Sequence, residues 1–317
     1  MKRLLAALLL VVVGLAALGG RAYFAERRFV RDHPGPGRFV TVGGARVHYV
    51  DRIGGEPAVL MLHGNPGTAL DFLRVMDRMA PEHRTLAIDR PGYGWSERPG
   101  DRMSPFDQAR IVRGVVRALG IARPVLVGFS FGGAVALAYA EEFPSDLSAL
   151  ILLAAVADPV AGHRMGRAQA LLAVRGAGFA MAYGVAPFLA PGVIEEGFVD
   201  AFAPRPVERE VVERGRWLFS RPATLRASAW DWAELEASFP RLDRGYPGIR
   251  VPVEAVSSAG DRIVGPSHAR RIADRVPGAH LVTLADAGHQ IPYTHADDVA
   301  AAIRRAIARS HEPRPLR

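Results

Sequence analysis

Three residues of this chain have the types and the order needed for nucleophilic catalysis: Ser130, Asp261 and His289. A serine hydroxyl attacks poorly until a base takes its proton, and the base works best when a carboxylate holds it in place. Ser130 is the centre of Gly128-Phe129-Ser130-Phe131-Gly132, which has the form G-x-S-x-G. The run Pro124-Val125-Leu126-Val127 before it reads as a buried strand, and Gly133 to Ala140 after it is rich in helix formers. The serine is therefore predicted at a sharp strand-to-helix turn, where glycines relieve the crowding around the nucleophile. Such a turn presents Ser130 Oγ at the C-terminal edge of a sheet and leaves the Phe131 backbone N–H able to stabilise an oxyanion. Asp261 and His289 each follow a late strand pattern, so both are predicted at that same edge. Asp158 is the other candidate acid, less suited because Pro159 follows it and the helical insertion begins there. His268, His280 and His295 read as helix, strand and helix-start histidines with no chemical role.

The elements that must position these residues alternate. Phe39–Val42 and Ala45–Val50 around Gly43-Gly44 read as a β-hairpin. Apolar strand runs follow at 58–62, 85–88, 124–127, 149–153, 251–256 and 280–284, with helices over about 69–79, 105–119, 266–275 and 295–309. That alternation predicts an α/β fold: a mostly parallel central sheet with helices on both faces. Between 156 and 248 the strands stop, and helical, aromatic-rich sequence takes over, for instance at 166–183 and 206–219. This reads as a helical cap inserted after the sixth main-sheet strand. Its tryptophans and phenylalanines are expected to pack the cap, and Arg175 argues against a bilayer span within 166–190.

Five motifs together resemble the α/β-hydrolase superfamily over about 38–310: His63-Gly64-Asn65-Pro66-Gly67, Asp89-Arg90-Pro91-Gly92-Tyr93-Gly94-Trp95-Ser96, Gly128 to Gly132, Gly260-Asp261 and Gly288-His289. The order Ser, Asp, His also matches that arrangement. The resemblance implies that the loop after His63-Gly64 supplies a second oxyanion donor, the backbone N–H of Asn65. The first two motifs look most like those of epoxide hydrolases and haloalkane dehalogenases, which use an aspartate nucleophile. This chain has Ser130 there, which points away from both activities and toward acyl chemistry. The expected activity is a serine hydrolase acting on carboxylic esters or a related, apolar acyl substrate. Carbon–carbon bond hydrolases and cofactor-free haloperoxidases of the same superfamily are the enzymatic alternatives. A membrane-tethered, non-catalytic binding module is the alternative of another kind.

Composition narrows the rest. The formal charge of the 317-residue chain is +8, but it comes from scattered arginines, Lys2 being the only lysine, and no basic stripe suggests nucleic acid. With no cysteine, disulfides and thiolate chemistry are excluded. No metal-ligand spacing and no cofactor motif is present, so neither a metal nor a cofactor is expected. Residues 4–20 are uncharged and apolar, with Lys2 and Arg3 before them and Tyr23, Phe24, Arg27 and Arg28 after them. As a helix of about 1.5 Å rise per residue, the run is just long enough for a bilayer core. It reads as a single-pass N-terminal membrane anchor. A cleaved signal peptide ending near Gly19 or Gly20, giving a secreted or periplasmic protein, is the competing reading. The expected organisation is anchor and flank 1–31, linker 32–37, core 38–155 and 249–310, cap 156–248 and tail 311–317.

Overall fold

The computed structural model describes residues 2–157 and 167–312. Asp158 and most of the expected tail, residues 313–317, lie outside the described residues. In chain order the elements are α1 (Lys2–Asp32), β1 (Arg38–Val42), β2 (Ala45–Arg52), β3 (Gly55–Leu62), α2 (Leu73–Met79), β4 (His83–Ile88), α3 (Pro105–Ala118), β5 (Val125–Phe129), α4 (Phe131–Glu142) and β6 (Ala149–Leu153). The helical insertion follows, with α5 (Arg167–Leu172), α6 (Ala177–Ala180), α7 (Ala186–Phe202), α8 (Arg209–Phe219) and α9 (Pro222–Gly245). The core then resumes with β7 (Val253–Ser258), α10 (Ser267–Arg275), β8 (His280–Leu284), α11 (Ile291–Thr294) and α12 (Ala296–Ser310).

The eight strands form one sheet in the order β1-β2-β4-β3-β5-β6-β7-β8. The hairpin strands pair antiparallel, β1 with β2 and β2 with β4, and every later pairing is parallel. Gly43 and Gly44 both take positive φ, 58° and 80°, as a tight hairpin of this hand requires. Strands β5 and β6 are buried along their whole length, which is why they read as continuous apolar runs. One face of the sheet packs α3, α4 and α10, and the other packs α2 and α12. Helix α4 is buried from Phe131 to Ala140, and its glycines and alanines let it lie close against the sheet. Helix α3 starts at Ser104, whose side chain caps the Asp107 N–H while Asp107 returns the bond, with Pro105 at the first position.

Helix α1 carries the apolar run and its basic flank in one piece, as far as Asp32. The helix packs on the insertion at Gly19, where a methyl group would lie in ordinary contact with Tyr183 Cβ at 3.6 Å. Glu26 pairs with Arg221 at 3.0 Å, and both side chains are largely shielded from solvent. The 33–37 segment, expected to be a free linker, is tied to the core: Trp95 Nε1 donates to the His33 carbonyl at 2.9 Å, and His48 Nε2 donates to the Pro36 carbonyl at 3.1 Å. Helix α9 is a 24-residue cap helix that continues through Pro240.

Candidate active site

Strand β5 delivers its C-terminal edge to Ser130, and α4 begins one residue later. Ser130 has φ 52° and ψ −119°, a left-handed conformation that costs a side chain about 1–3 kcal/mol. The surroundings hold it there. Its N–H donates to the Leu153 carbonyl at 2.9 Å, and its carbonyl accepts from Gly133 at 2.9 Å and Val156 at 3.0 Å. A Cβ on Gly132 would overlap the Leu62 and His63 carbonyls, so the turn can close only with glycine there.

The structure brings Ser130, His289 and Asp261 into one chain of hydrogen bonds. The loop after β8 carries His289 and the loop after β7 carries Asp261. His289 Nε2 is 3.1 Å from Ser130 Oγ, and His289 Nδ1 is 2.7 Å from Asp261 Oδ2. A carboxylate only accepts, so Nδ1 carries the ring proton, and Nε2 presents its lone pair to the serine hydroxyl. Asp261 Oδ1 accepts from the Ile263 and Val264 amides, each at 2.8 Å, which fixes the carboxylate. The Asp261 side chain is 1% exposed, and Ser130 and His289 are buried. The Phe129 ring sits 4.9 Å from the His289 ring and holds it on its apolar side.

Phe131 opens α4, so its N–H is one of those a helix cannot satisfy internally. A Cβ on Gly64 would lie 3.0 Å from Ser130 Cβ, so the Gly64-Asn65 stretch runs beside Ser130. The Asn65 side chain reaches the cap, with Nδ2 donating to the Ser228 carbonyl at 3.2 Å, while its buried Oδ1 has no partner.

The arrangement that holds this loop includes a residue without a role in the reading of the sequence, Arg90. Arg90 is fully buried. Its Nε donates to the His63 carbonyl at 2.9 Å and its Nη2 to the Gly64 carbonyl at 2.8 Å. Its Nη1 donates to Gln108 Oε1 at 2.7 Å and to Asp231 Oδ2, on cap helix α9, at 2.8 Å. Tyr93 and Arg98 also donate to the Asp231 carboxylate, at 3.0 and 2.9 Å. Burial, and then Asp231, pushes the Tyr93 hydroxyl well above its ordinary range, so it stays a donor. Burial, and then the Arg90 charge, holds His63 well below the usual imidazole range, so it is neutral. Its Nε2 accepts the Arg90 N–H at 2.8 Å, and its Nδ1 donates to the Gly64 carbonyl at 2.8 Å. The available signal was Asp231 itself, a lone charge between Trp230 and Trp232.

Removing Asp231 leaves the Arg90 guanidinium buried with no counter-charge. Asp231→Ala is therefore expected to destabilise the fold by about 3–5 kcal/mol. Asp101→Ala, which breaks a partly exposed pair with Arg226, is expected to cost about 0–1 kcal/mol. Denaturant unfolding of the two variants side by side checks this. Equal, small effects mean that the buried pair does not hold the cap to the core.

The other sequence candidates play local parts. His268 Nδ1 accepts from the Ala157 N–H at 3.0 Å, His280 faces the buried Glu254 at 3.0 Å, and His295 pairs with Asp286 at 3.2 Å. Among the described residues, no group of three or more His, Cys, Asp or Glu side chains could hold a metal ion.

An eight-stranded, mostly parallel sheet with a serine at the strand-to-helix turn defines an α/β hydrolase. A profile of the alpha/beta hydrolase fold matches residues 57–296, and the chain belongs to that family of hydrolases. The 2-hydroxymuconate semialdehyde hydrolase of Pseudomonas putida is 30% identical over 303 residues, covering 88% of this chain and 96% of its own. A thermophilic esterase from Thermogutta terrifontis superposes with a TM-score of 0.71 at 25% identity, over 87% of this chain and 100% of its own. The enol-lactonase of Burkholderia xenovorans LB400 shares the fold, with a TM-score of 0.71 at 22% identity over 86% of this chain and 100% of its own.

Proposed function

We propose that the protein is a serine hydrolase acting on carboxylic esters, or a closely related acyl substrate, through a covalent acyl-enzyme. The observation that carries this reading is the Ser130–His289–Asp261 relay, with steps of 3.1 and 2.7 Å. In this mechanism Ser130 Oγ attacks the substrate carbonyl carbon as its proton passes to His289 Nε2. Asp261 holds the imidazole in place and stabilises the imidazolium that forms. The Phe131 and Asn65 N–H groups receive the developing oxyanion. Collapse breaks the bond to the leaving group, which takes the proton from His289. Water then gives a proton to His289 and attacks the acyl-enzyme. His289 returns that proton to Ser130 as the acid is released. No metal or cofactor takes part in this mechanism.

A second reading, carbon–carbon bond hydrolysis, is favoured by the 30% identity to the semialdehyde hydrolase. The same triad then attacks a ketone carbonyl, and the departing carbanion takes the proton. One experiment separates the readings. The purified protein is expected to label with a fluorophosphonate and to hydrolyse p-nitrophenyl esters faster than 2-hydroxymuconate semialdehyde. Absence of labelling sinks both readings in favour of a binding module, and turnover confined to the semialdehyde selects the second.

The same reading makes residues 4–20 a membrane anchor for a catalytic unit built from a core (38–155 and 249–310) and a cap (156–248). Its support is the uncharged apolar run with basic flanks, and the continuous helix α1 that contains it.

A further inference from the structure

We propose that the outer face of the cap rests on the lipid leaflet into which α1 runs, so that the cap is a second membrane contact beside the anchor. Exposed apolar side chains are unevenly placed. Among the described residues, eleven of the fifteen exposed large hydrophobics lie on α1 or between Leu171 and Val199. The exposed set on the cap includes Val174, Phe179, Val185, Phe188, Leu189 and Val193, with Phe188 at 77%, Leu189 at 65% and Val193 at 67%. Val185, Phe188, Leu189 and Val193 recur at helical spacing, so they form one stripe. The opposite face of the same stretch is buried in the cap through Ala182, Ala186, Ala190 and Phe198. Helix Ala177–Phe202 is long and apolar enough to cross a bilayer by length and composition, yet only 28% of its most apolar window is buried. Glu195, Glu196 and Asp200 are exposed at its far end. One face packed on protein, one face apolar and open, and an acidic end describe a helix lying in the interface rather than spanning.

Continuity with α1 identifies the occupant as lipid. The Tyr23 ring of α1 is 6.1 Å from Tyr183, which stacks on Phe179 at 4.4 Å. The apolar stripe therefore continues directly from the place where the anchor helix docks. Leu18 on α1 is itself 47% exposed. The exposed Arg21, Arg27, Arg28 and Arg31 follow the apolar run along the helix, where anionic headgroups attract positive charge. The inference rests on the anchor reading for the position of the leaflet. It also gives the acyl substrate a source, since a cap set in lipid draws on molecules that partition there.

The test uses the full chain, which has no native cysteine to complicate labelling. Single variants Val13→Cys, Phe188→Cys, Val193→Cys and Ile53→Cys are labelled with an environment-sensitive nitrobenzoxadiazole probe. They are reconstituted into vesicles of phosphatidylcholine and phosphatidylglycerol. Ile53, 93% exposed in the turn between β2 and β3, serves as the aqueous reference. Labels at 13, 188 and 193 are expected to emit to the blue and to be quenched by acyl-chain nitroxides, and the label at 53 by iodide alone. If 188 and 193 behave like 53 while 13 is quenched from lipid, the cap contact is overturned and the anchor stands. If 188 and 193 are shielded from both quenchers, protein covers the face, a second copy for example, and the proposal is overturned. If 13 is aqueous while 188 and 193 are in lipid, the anchor reading fails and the cap contact stands. If all three are aqueous, both fall. Thermal unfolding matching the parent shows that each variant is folded.

Discussion

Ser130→Ala is expected to lower ester turnover by roughly 10³-fold or more, with little change in thermal stability. The large effect on rate follows from the chemistry: without Oγ no acyl-enzyme forms, and the oxyanion donors alone give only residual acceleration. The small effect on folding follows from the geometry. The side chain contributes one hydrogen bond, to His289 Nε2, and alanine retains the Cβ that packs against Gly64. Alanine must adopt the same φ of 52°, so the strain stored in the turn is retained. Fluorophosphonate labelling is expected to vanish in step with activity. A variant retaining most of its turnover removes Ser130 from the mechanism.

Asp261→Asn is expected to lower turnover by about 10⁴-fold, because an amide nitrogen facing Nδ1 favours the wrong imidazole tautomer. The Asp261 carboxylate has no spare position: one oxygen accepts the His289 Nδ1–H, and the other accepts the Ile263 and Val264 amides. An asparagine keeping its oxygen on those two amides must turn its NH₂ toward His289, which then presents Nδ1 as acceptor and Nε2–H to Ser130. KM is expected to change far less than kcat. Asp158→Asn is the matched control, with near-parental rates expected. The reverse ranking moves the acid to the loop after β6.

The central sheet was legible because its strands carry their own signal. Val125–Val127 and Ala149–Leu153 are buried on both sides, so apolar runs mark them without knowledge of partners. The residues at the strand ends were legible for a related reason: Ser130, Asp261 and His289 stand beside glycines that punctuate the pattern. The sequence did not disclose which polar residues are buried. Arg90 reads as an ordinary surface arginine until Asp231, 141 positions later, is known to lie against it.

The Asp231 cluster divides the cap into parts with different freedom to vary. Helix α9 is fastened to the core through Arg90, Gln108, Tyr93 and the Asn65–Ser228 bond, and Arg90 also holds the carbonyls beside the nucleophile. Any change that shifts α9 therefore disturbs the catalytic loop as well. The stretch from Arg167 to Phe202 carries no such tie to the His63–Gly67 loop among the bonds described here. Mutational libraries aimed at new acyl specificities should therefore keep α9 constant and randomise this stretch.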